Sequence, residues 1–78
     1  MSNVIIYSTP TCGYCHMAKE FFTRNNVTYK EKDVASDMEA RQEMLEKSQQ
    51  MGVPVIDVDG TILVGFNEPK LRELLSVV

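Results

Sequence analysis

Apolar and polar positions alternate along the chain in a way that predicts four strands. Runs rich in β-branched and aromatic residues lie at 3–8 (NVIIYS), 53–58 (VPVIDV) and 61–64 (TILV), which is typical of buried strands. Residues 27–34 (VTYKEKDV) contain fewer apolar positions, so we expect this strand at an edge of the sheet. Asp59-Gly60 joins the last two strands, and this dipeptide favours a type I′ hairpin turn.

Apolar residues at three- and four-residue steps predict two helices, one at about 12–25 and one after Asn67. Asn67 is a plausible N-cap, with Pro69 in the first turn that follows it. The residues expected to face the core from these two helices are Cys15, Ala18, Phe21, Phe22, Leu71, Leu74, Leu75 and Val78.

A third helix is predicted between them, from 37 to about 50. Ser36 and Glu39 have the spacing of a capping box at its start, and Gly52 is a plausible stop. The inward-facing candidates are Met38, Met44 and Leu45.

The predicted order is therefore βαβ followed by ββα, which indicates an α/β fold in one domain spanning 1–78. A right-handed crossover makes the first two strands parallel, and the hairpin adds two antiparallel strands. We expect a mixed four-stranded sheet flanked by three helices. At 78 residues there is no room for a second core.

Charge and composition exclude several classes of function. The net charge is −3, and the eight Lys and Arg residues are scattered, so we expect no nucleic-acid partner. The apolar run near the N-terminus is too short for a signal peptide or a membrane span. We therefore expect a cytoplasmic monomer without a membrane partner, in a reducing compartment where a cysteine pair is usually catalytic or metal-binding.

The stretch TPTCGYCHM (9–17) holds both cysteines, Cys12 and Cys15. A disulfide between them would close almost no loop, so a structural role is improbable. Cys12 falls where a strand gives way to a helix, and the unpaired amides there favour a thiolate. Cys15 lies one turn on and faces inward, as a resolving thiol must.

Other chemistries fit the same residues less well. Cys-x-x-Cys-His is also the attachment pattern of c-type haem, but the strand-rich pattern and the lack of an export signal do not favour it. A structural zinc site needs two ligands beyond the cysteines, and His16 alone is available; we expect no metal site. Two cysteines that simply pack as small hydrophobes remain a further alternative.

The chain resembles glutaredoxins, small members of the thioredoxin-fold superfamily, over almost its whole length. The similar stretches are IYSTPTCGYCHMAK (6–19), VPVI (53–56) and VGFNE (64–68). The resemblance implies a thiol–disulfide oxidoreductase in which Cys12 is the nucleophile and Cys15 resolves the mixed disulfide. It also implies glutathione as electron-donating cosubstrate, with disulfide-containing or glutathionylated proteins as substrates.

The resemblance also implies a binding site for glutathione or substrate around the cysteines. Pro54 would be a cis-proline, although Pro after Val53 could equally mark only the start of a strand, and few X–Pro bonds are cis. The residues that the resemblance assigns to this site are Thr11, Gly13, Tyr14, Val53, Pro54, Gly65, Phe66, Asn67 and Glu68.

Three departures from the glutaredoxin pattern leave the electron donor open. Thr9 stands where many members have a Lys that pairs with a glutathione carboxylate, and Phe66 stands where they have a second glycine. These two favour, as an alternative, a redoxin that thioredoxin reductase reduces and that supplies ribonucleotide reductase. Gly13 stands where Pro is commonest, and it suggests a second alternative, a glutathione-dependent carrier of an iron–sulfur cluster.

Overall fold

The computed structural model describes residues 3–77. Along the chain the elements are β1 (Val4–Ser8), α1 (Gly13–Arg24), β2 (Lys30–Asp33), α2 (Met38–Ser48), β3 (Val55–Val58), β4 (Thr61–Val64) and α3 (Glu68–Leu75). The sheet has the order β2-β1-β3-β4. Strands β1 and β2 are parallel, and the pairs β1–β3 and β3–β4 are antiparallel. The predicted element order and mixed sheet are confirmed.

The sheet separates two apolar clusters. On one face, α1 and α3 pack on β1 and β3, and this cluster contains Val4, Ile6, Ala18, Phe21, Phe22, Ile56, Val58 and Leu71. On the other face α2 packs on the sheet alone, and the buried residues are Tyr7, Val34, Ala40, Met44 and Val55. Strand β3 is buried along its whole length because helices cover both of its faces.

Strand β2 is shorter than predicted and lies at the sheet edge, as its polar sequence indicated. It spans four residues, KEKD, and all of them are at least partly exposed. Charged side chains on an edge strand oppose pairing with other chains. The hairpin turn between β3 and β4 has positive φ at both Asp59 (51°) and Gly60 (95°), as a type I′ turn requires.

Helix α2 is present close to its predicted bounds, but the predicted cap and stop residues were wrong. Asp37, not Ser36, is the N-cap, and its carboxylate accepts from the amides of Glu39 and Ala40. The helix ends at Ser48, before the predicted stop at Gly52, because Gln49 adopts the left-handed conformation (φ 58°) and closes the last turn.

Two of the three inward-facing candidates on α2 are exposed. Met44 is buried at 1% exposure, whereas Met38 and Leu45 are 73% and 37% exposed. The reason is that α2 contacts the sheet on one side only, so the buried positions of this helix are Ala40 and Met44.

Helix α3 begins as predicted. Asn67 is its N-cap and accepts from the Lys70 amide, and Pro69 lies in the first turn. Leu71 is fully buried, and Leu74 and Leu75 pack against the same cluster. The predicted core position Val78 lies outside the described residues.

Candidate functional site

Three loops lie at one end of the sheet, the end at which the two cysteines are found. Because β3 runs antiparallel to β1 and β4, the start of β3 lies beside the ends of the other two strands. The loop 9–12 follows β1, the loop 49–54 precedes β3, and the turn 65–67 follows β4. The Gly65 amide donates to the carbonyl oxygen of Pro54 at 2.8 Å, joining two of these loops.

The cysteines occupy the start of α1 and are joined by a disulfide. Cys12 is the N-cap, and the Cys15 amide donates to its sulfur at 3.1 Å. Cys12 is partly exposed, whereas Cys15 is fully buried. A helix N-terminus stabilises negative charge through its free amides, so the position of Cys12 suits a thiolate that meets a substrate and the position of Cys15 suits an internal attack.

The Val53–Pro54 peptide bond is cis, as the family resemblance implied. Pro54 is buried, and Val53 is half-buried beside it. Pro54 lies immediately before β3, outside the strand itself, where the absence of an amide hydrogen removes no bond from the sheet ladder.

The remaining predicted contact residues line the same end of the sheet with different exposure. Thr11 and Gly13 are exposed, and Tyr14 is 65% exposed. Gly65 has φ +85°, a conformation that L side chains rarely adopt. The structure therefore brings these predicted residues to one surface, and their contacts with a ligand stay predictions.

Phe66 and Glu68 have partners within the protein. The ring of Phe66 packs edge-on against Phe21, with centroids 6.0 Å apart, so this bulky ring is directed into the core. The Glu68 carboxylate accepts from Arg72, with an N–O distance of 2.8 Å. A ligand anion at the start of α3 would therefore meet a carboxylate as well as the favourable helix end.

A polar cluster joins α1, β1 and β2, and sequence reasoning missed it. Lys19 of α1 and Ser8 of β1 both donate to the same carboxylate oxygen of Glu31 in β2, each at 2.8 Å. These two hydrogen bonds, that of Lys19 first, lower the pKa of Glu31. Glu31 lies 12 positions from Lys19 and 23 from Ser8 in sequence, so local patterning does not link it to either partner.

A shallow pocket of about 350 Å³ lies on the first turns of α1, lined by Gly13, Tyr14 and Met17. Met17 was not among the predicted site residues. Its spacing of three from Tyr14 and four from Gly13 could have indicated it, because such residues share a helix face.

Among residues 3–77 no group of three or more His, Cys, Asp and Glu side chains could hold a metal ion. Within that range no helix is long and apolar enough to cross a membrane.

The fold and the helix-capping cysteine pair define a thioredoxin-fold redox protein. Comparison with known proteins makes this more specific, since residues 4–63 match the glutaredoxin family model. The chain belongs to the glutaredoxin family.

The most similar relatives considered are also named as glutaredoxins or thioredoxin-like proteins. The chain is 47% identical, over 91% of its length and 95% of the relative's, to an uncharacterized glutaredoxin-like protein of the rubredoxin operon of Clostridium pasteurianum. It is 34% identical to glutaredoxin 3 of Escherichia coli K12, covering 87% of this chain and 82% of that one. A solved mutant of the thioredoxin-like protein BC3987 superposes with a TM-score of 0.93 at 36% identity, with both chains fully covered.

Proposed function

We propose that this protein reduces disulfides, including mixed disulfides with glutathione, through the Cys12–Cys15 dithiol in the cytoplasm. The observation that carries the proposal is the difference between the two sulfurs: Cys12 is partly exposed at a helix N-cap and Cys15 is buried one turn behind it. Family membership supports glutathione as electron donor and glutathionylated proteins as substrates.

The proposed chemistry has two displacements. The Cys12 thiolate attacks a substrate sulfur, the substrate disulfide breaks, and one thiolate leaves and takes up a proton. The Cys15 thiolate then attacks the Cys12 sulfur and expels the second substrate thiol, leaving the Cys12–Cys15 disulfide. The helix amides stabilise Cys12 as the attacking thiolate, because its negative charge lies at the N-terminus of α1.

Two cysteine variants test this proposal. Cys12→Ser should lose the reduction of a glutathionylated peptide by reduced glutathione, because no nucleophile remains. Cys15→Ser should retain that reaction, in which glutathione itself resolves the mixed disulfide, but lose the reduction of protein disulfides. An unchanged rate in the Cys12 variant would contradict the assignment.

A second candidate differs only in the electron donor, which would be thioredoxin reductase in place of glutathione. Two observations favour it: Thr9 supplies no cation, and Glu68 places a carboxylate at the start of α3. Parallel turnover assays with glutathione plus its reductase, and with thioredoxin reductase plus NADPH, separate the two candidates. The donor that supports steady turnover of one protein disulfide identifies the partner.

The iron–sulfur alternative requires thiolates from outside the chain. Cys12 is partly exposed and Cys15 is buried, so one chain offers a single accessible thiolate to a cluster. Anaerobic reconstitution with iron, sulfide and glutathione tests it, and a colourless product excludes it.

A further inference from the structure

We propose that Gln50 is a positioning residue that holds the backbone of Val53 where it can pair with the peptide groups of a disulfide substrate. This inference rests on the proposed disulfide reductase function, in which Val53 belongs to the substrate site. Gln50 itself touches no substrate and acts through the loop 49–54, which joins α2 to β3.

The side-chain amide of Gln50 bonds to both backbone groups of Gly52, two residues further along the loop. Its Oε1 accepts from the Gly52 amide at 2.6 Å, and its Nε2 donates to the Gly52 carbonyl oxygen at 3.0 Å. Hydrogen bonds are directional, and one of them leaves its partner free to rotate. Two of them fix the orientation of the Gly52 backbone as well as its position.

The same side chain is anchored to helix α2. Gln50 Nε2 also donates to the Ser48 hydroxyl at 3.3 Å, and that hydroxyl donates to the Met44 carbonyl oxygen at 2.7 Å. Ser48 is the last residue of α2, and Met44 belongs to the apolar cluster that packs this helix on the sheet. The position of Gly52 is therefore set relative to a helix that is itself held in place.

Val53 lies between two residues whose backbone is fixed. Gly52 precedes it, and on the other side the Pro54 carbonyl oxygen accepts from the Gly65 amide at 2.8 Å. Within residues 3–77 the amide and carbonyl groups of Val53 itself have no hydrogen-bond partner. These two groups are therefore available to the backbone of a substrate peptide, which can add to them as a strand adds to a sheet edge.

The contact between Gln50 and Gly52 leaves no room for a side chain at position 52. A Cβ added at Gly52 would lie 2.8 Å from Gln50 Oε1, closer than such atoms approach. Because that oxygen is the end of a flexible side chain, Gly52→Ala moves the Gln50 amide and leaves the fold in place. This substitution therefore displaces Gln50 without removing it.

Two disulfides distinguish the positioning of Val53 from a general loss of reactivity. The symmetric dimer of acetyl-Ala-Cys-Ala amide carries peptide groups on both sides of its cysteines, whereas 2-hydroxyethyl disulfide carries none. Each is mixed with the pre-reduced protein below saturation, and no external electron donor is needed. Oxidation of the two protein thiols is followed by mass after acid quenching and alkylation, and the ratio of the two rate constants is measured.

We expect Gln50→Met to lower the rate constant for the peptide dimer about fivefold, the scale of one hydrogen bond. Met keeps the length of the side chain but none of its hydrogen bonds. The rate constant for 2-hydroxyethyl disulfide should not change, because that substrate has no peptide group to pair with Val53. Gln42→Met is the matched control, since Gln42 is exposed on α2 and donates to Glu46; it should change neither rate constant.

Gly52→Ala should lower the rate constant for the peptide dimer by a similar factor, because it displaces the Gln50 amide. In the Gln50→Ala background the same substitution should have little further effect, since the oxygen that the new Cβ would meet is gone. Such non-additivity is the signature of two residues that act through one contact.

Equal losses with both disulfides in Gln50→Met, or an unchanged ratio, would show that Gln50 does not position Val53. The same conclusion follows if Gly52→Ala costs as much in the Gln50→Ala background as in the unmodified protein. Failure of the unmodified protein to react with either disulfide contradicts instead the disulfide reductase function, so the two failures are distinguishable. Circular dichroism establishes that each variant is folded, and Gly52→Ala decides the matter if Gln50→Met is not.

Discussion

Replacing Lys47 with Met tests the polar network that holds α2 against the sheet. Lys47 donates to Asp57 at 2.7 Å and to the hydroxyl of Tyr7 at 2.8 Å. That hydroxyl donates to Glu43, which also accepts from Lys32. Met preserves the length and helix propensity of the side chain, so the variant removes mainly these hydrogen bonds and the charge.

The cost follows from the burial of the partner left behind. The Asp57 side chain is 12% exposed and that of Lys47 is 29% exposed. Without Lys47, Asp57 keeps its hydrogen bond from the Gly60 amide but loses its counter-ion. Breaking a fully buried pair costs about 3–5 kcal/mol, and a charged hydrogen bond contributes about 1.5–3 kcal/mol. Because this pair is partly exposed, we expect a loss of about 2 kcal/mol in the free energy of unfolding.

Thermal unfolding of the oxidised protein at neutral pH measures this loss. For a domain of this size, about 2 kcal/mol lowers Tm by about 8–16 °C. The control is Lys70→Met, since Lys70 is 44% exposed and its contact with Glu73 is 3.9 Å. That variant should change the free energy of unfolding by less than about 0.5 kcal/mol.

A double variant separates the lost charge pair from lost packing. Adding Asp57→Asn to Lys47→Met removes the unpaired carboxylate but keeps an oxygen for the Gly60 amide. This should recover at least half of the lost stability, because the remaining buried group is no longer charged. If Lys47→Met destabilises no more than Lys70→Met, or if Asp57→Asn recovers nothing, the network does not stabilise the fold as argued.

Two other predictions concern backbone conformation and pH. Gly13→Ala should raise the free energy of unfolding by up to about 0.5 kcal/mol in urea titrations, because helical Gly is entropically unfavourable. Gly65→Ala should lower the free energy of unfolding by about 1 kcal/mol, since the methyl has space but φ is +85°. Equal effects of the two substitutions would contradict the argument that positive φ makes Gly65 the costlier position. The hydrogen bonds from Lys32 and Tyr7 lower the pKa of Glu43 from 4.5. Its stabilising contribution is therefore present above pH 4.5 and lost as pH falls through the lower folded pKa. Over that acid range the free energy of unfolding should fall less for Glu43→Gln than for the unmodified protein. If the two free energies fall in parallel with pH, the argument is wrong.

The network also explains pKa directions at the other end of the pH scale. Burial by itself lowers the pKa of Lys47, but hydrogen bonds to Asp57 and Tyr7 outweigh it and raise the pKa. Burial, and then the hydrogen bond to Glu43, raise the pKa of Tyr7. Both groups therefore stabilise the fold below their unfolded pKa values and lose that contribution as pH rises above them.

The elements that sequence alone determined are those with strong local signals. The β-branched run of β1, the helical spacing from Cys15 to Phe22, the Asp59-Gly60 turn and the Asn67 cap each depend on neighbours within a few residues. The placement of Cys12 at a helix N-terminus followed from this local order. For the same reason the cysteine chemistry could be inferred before any tertiary contact was known.

The ends and the faces of α2 had no such decisive local signal. Ser36 and Asp37 are both good N-caps, and only the path of the chain leaving β2 decides between them. Met38 and Leu45 are apolar and yet exposed, because the number of buried positions depends on how much sheet lies beneath the helix. Sequence spacing does not contain that information.

Tertiary structure alone decided the features whose partners are distant along the chain. The family resemblance implied the cis Val53–Pro54 bond, but the local residues do not determine it, since few X–Pro bonds are cis. Tyr7 bonds to Lys47, 40 residues away, and Phe66 turns into the core against Phe21. A hydrogen bond or a ring contact needs two groups within a few ångströms, and for residues so far apart only the folded sheet and its covering helices bring the two groups together.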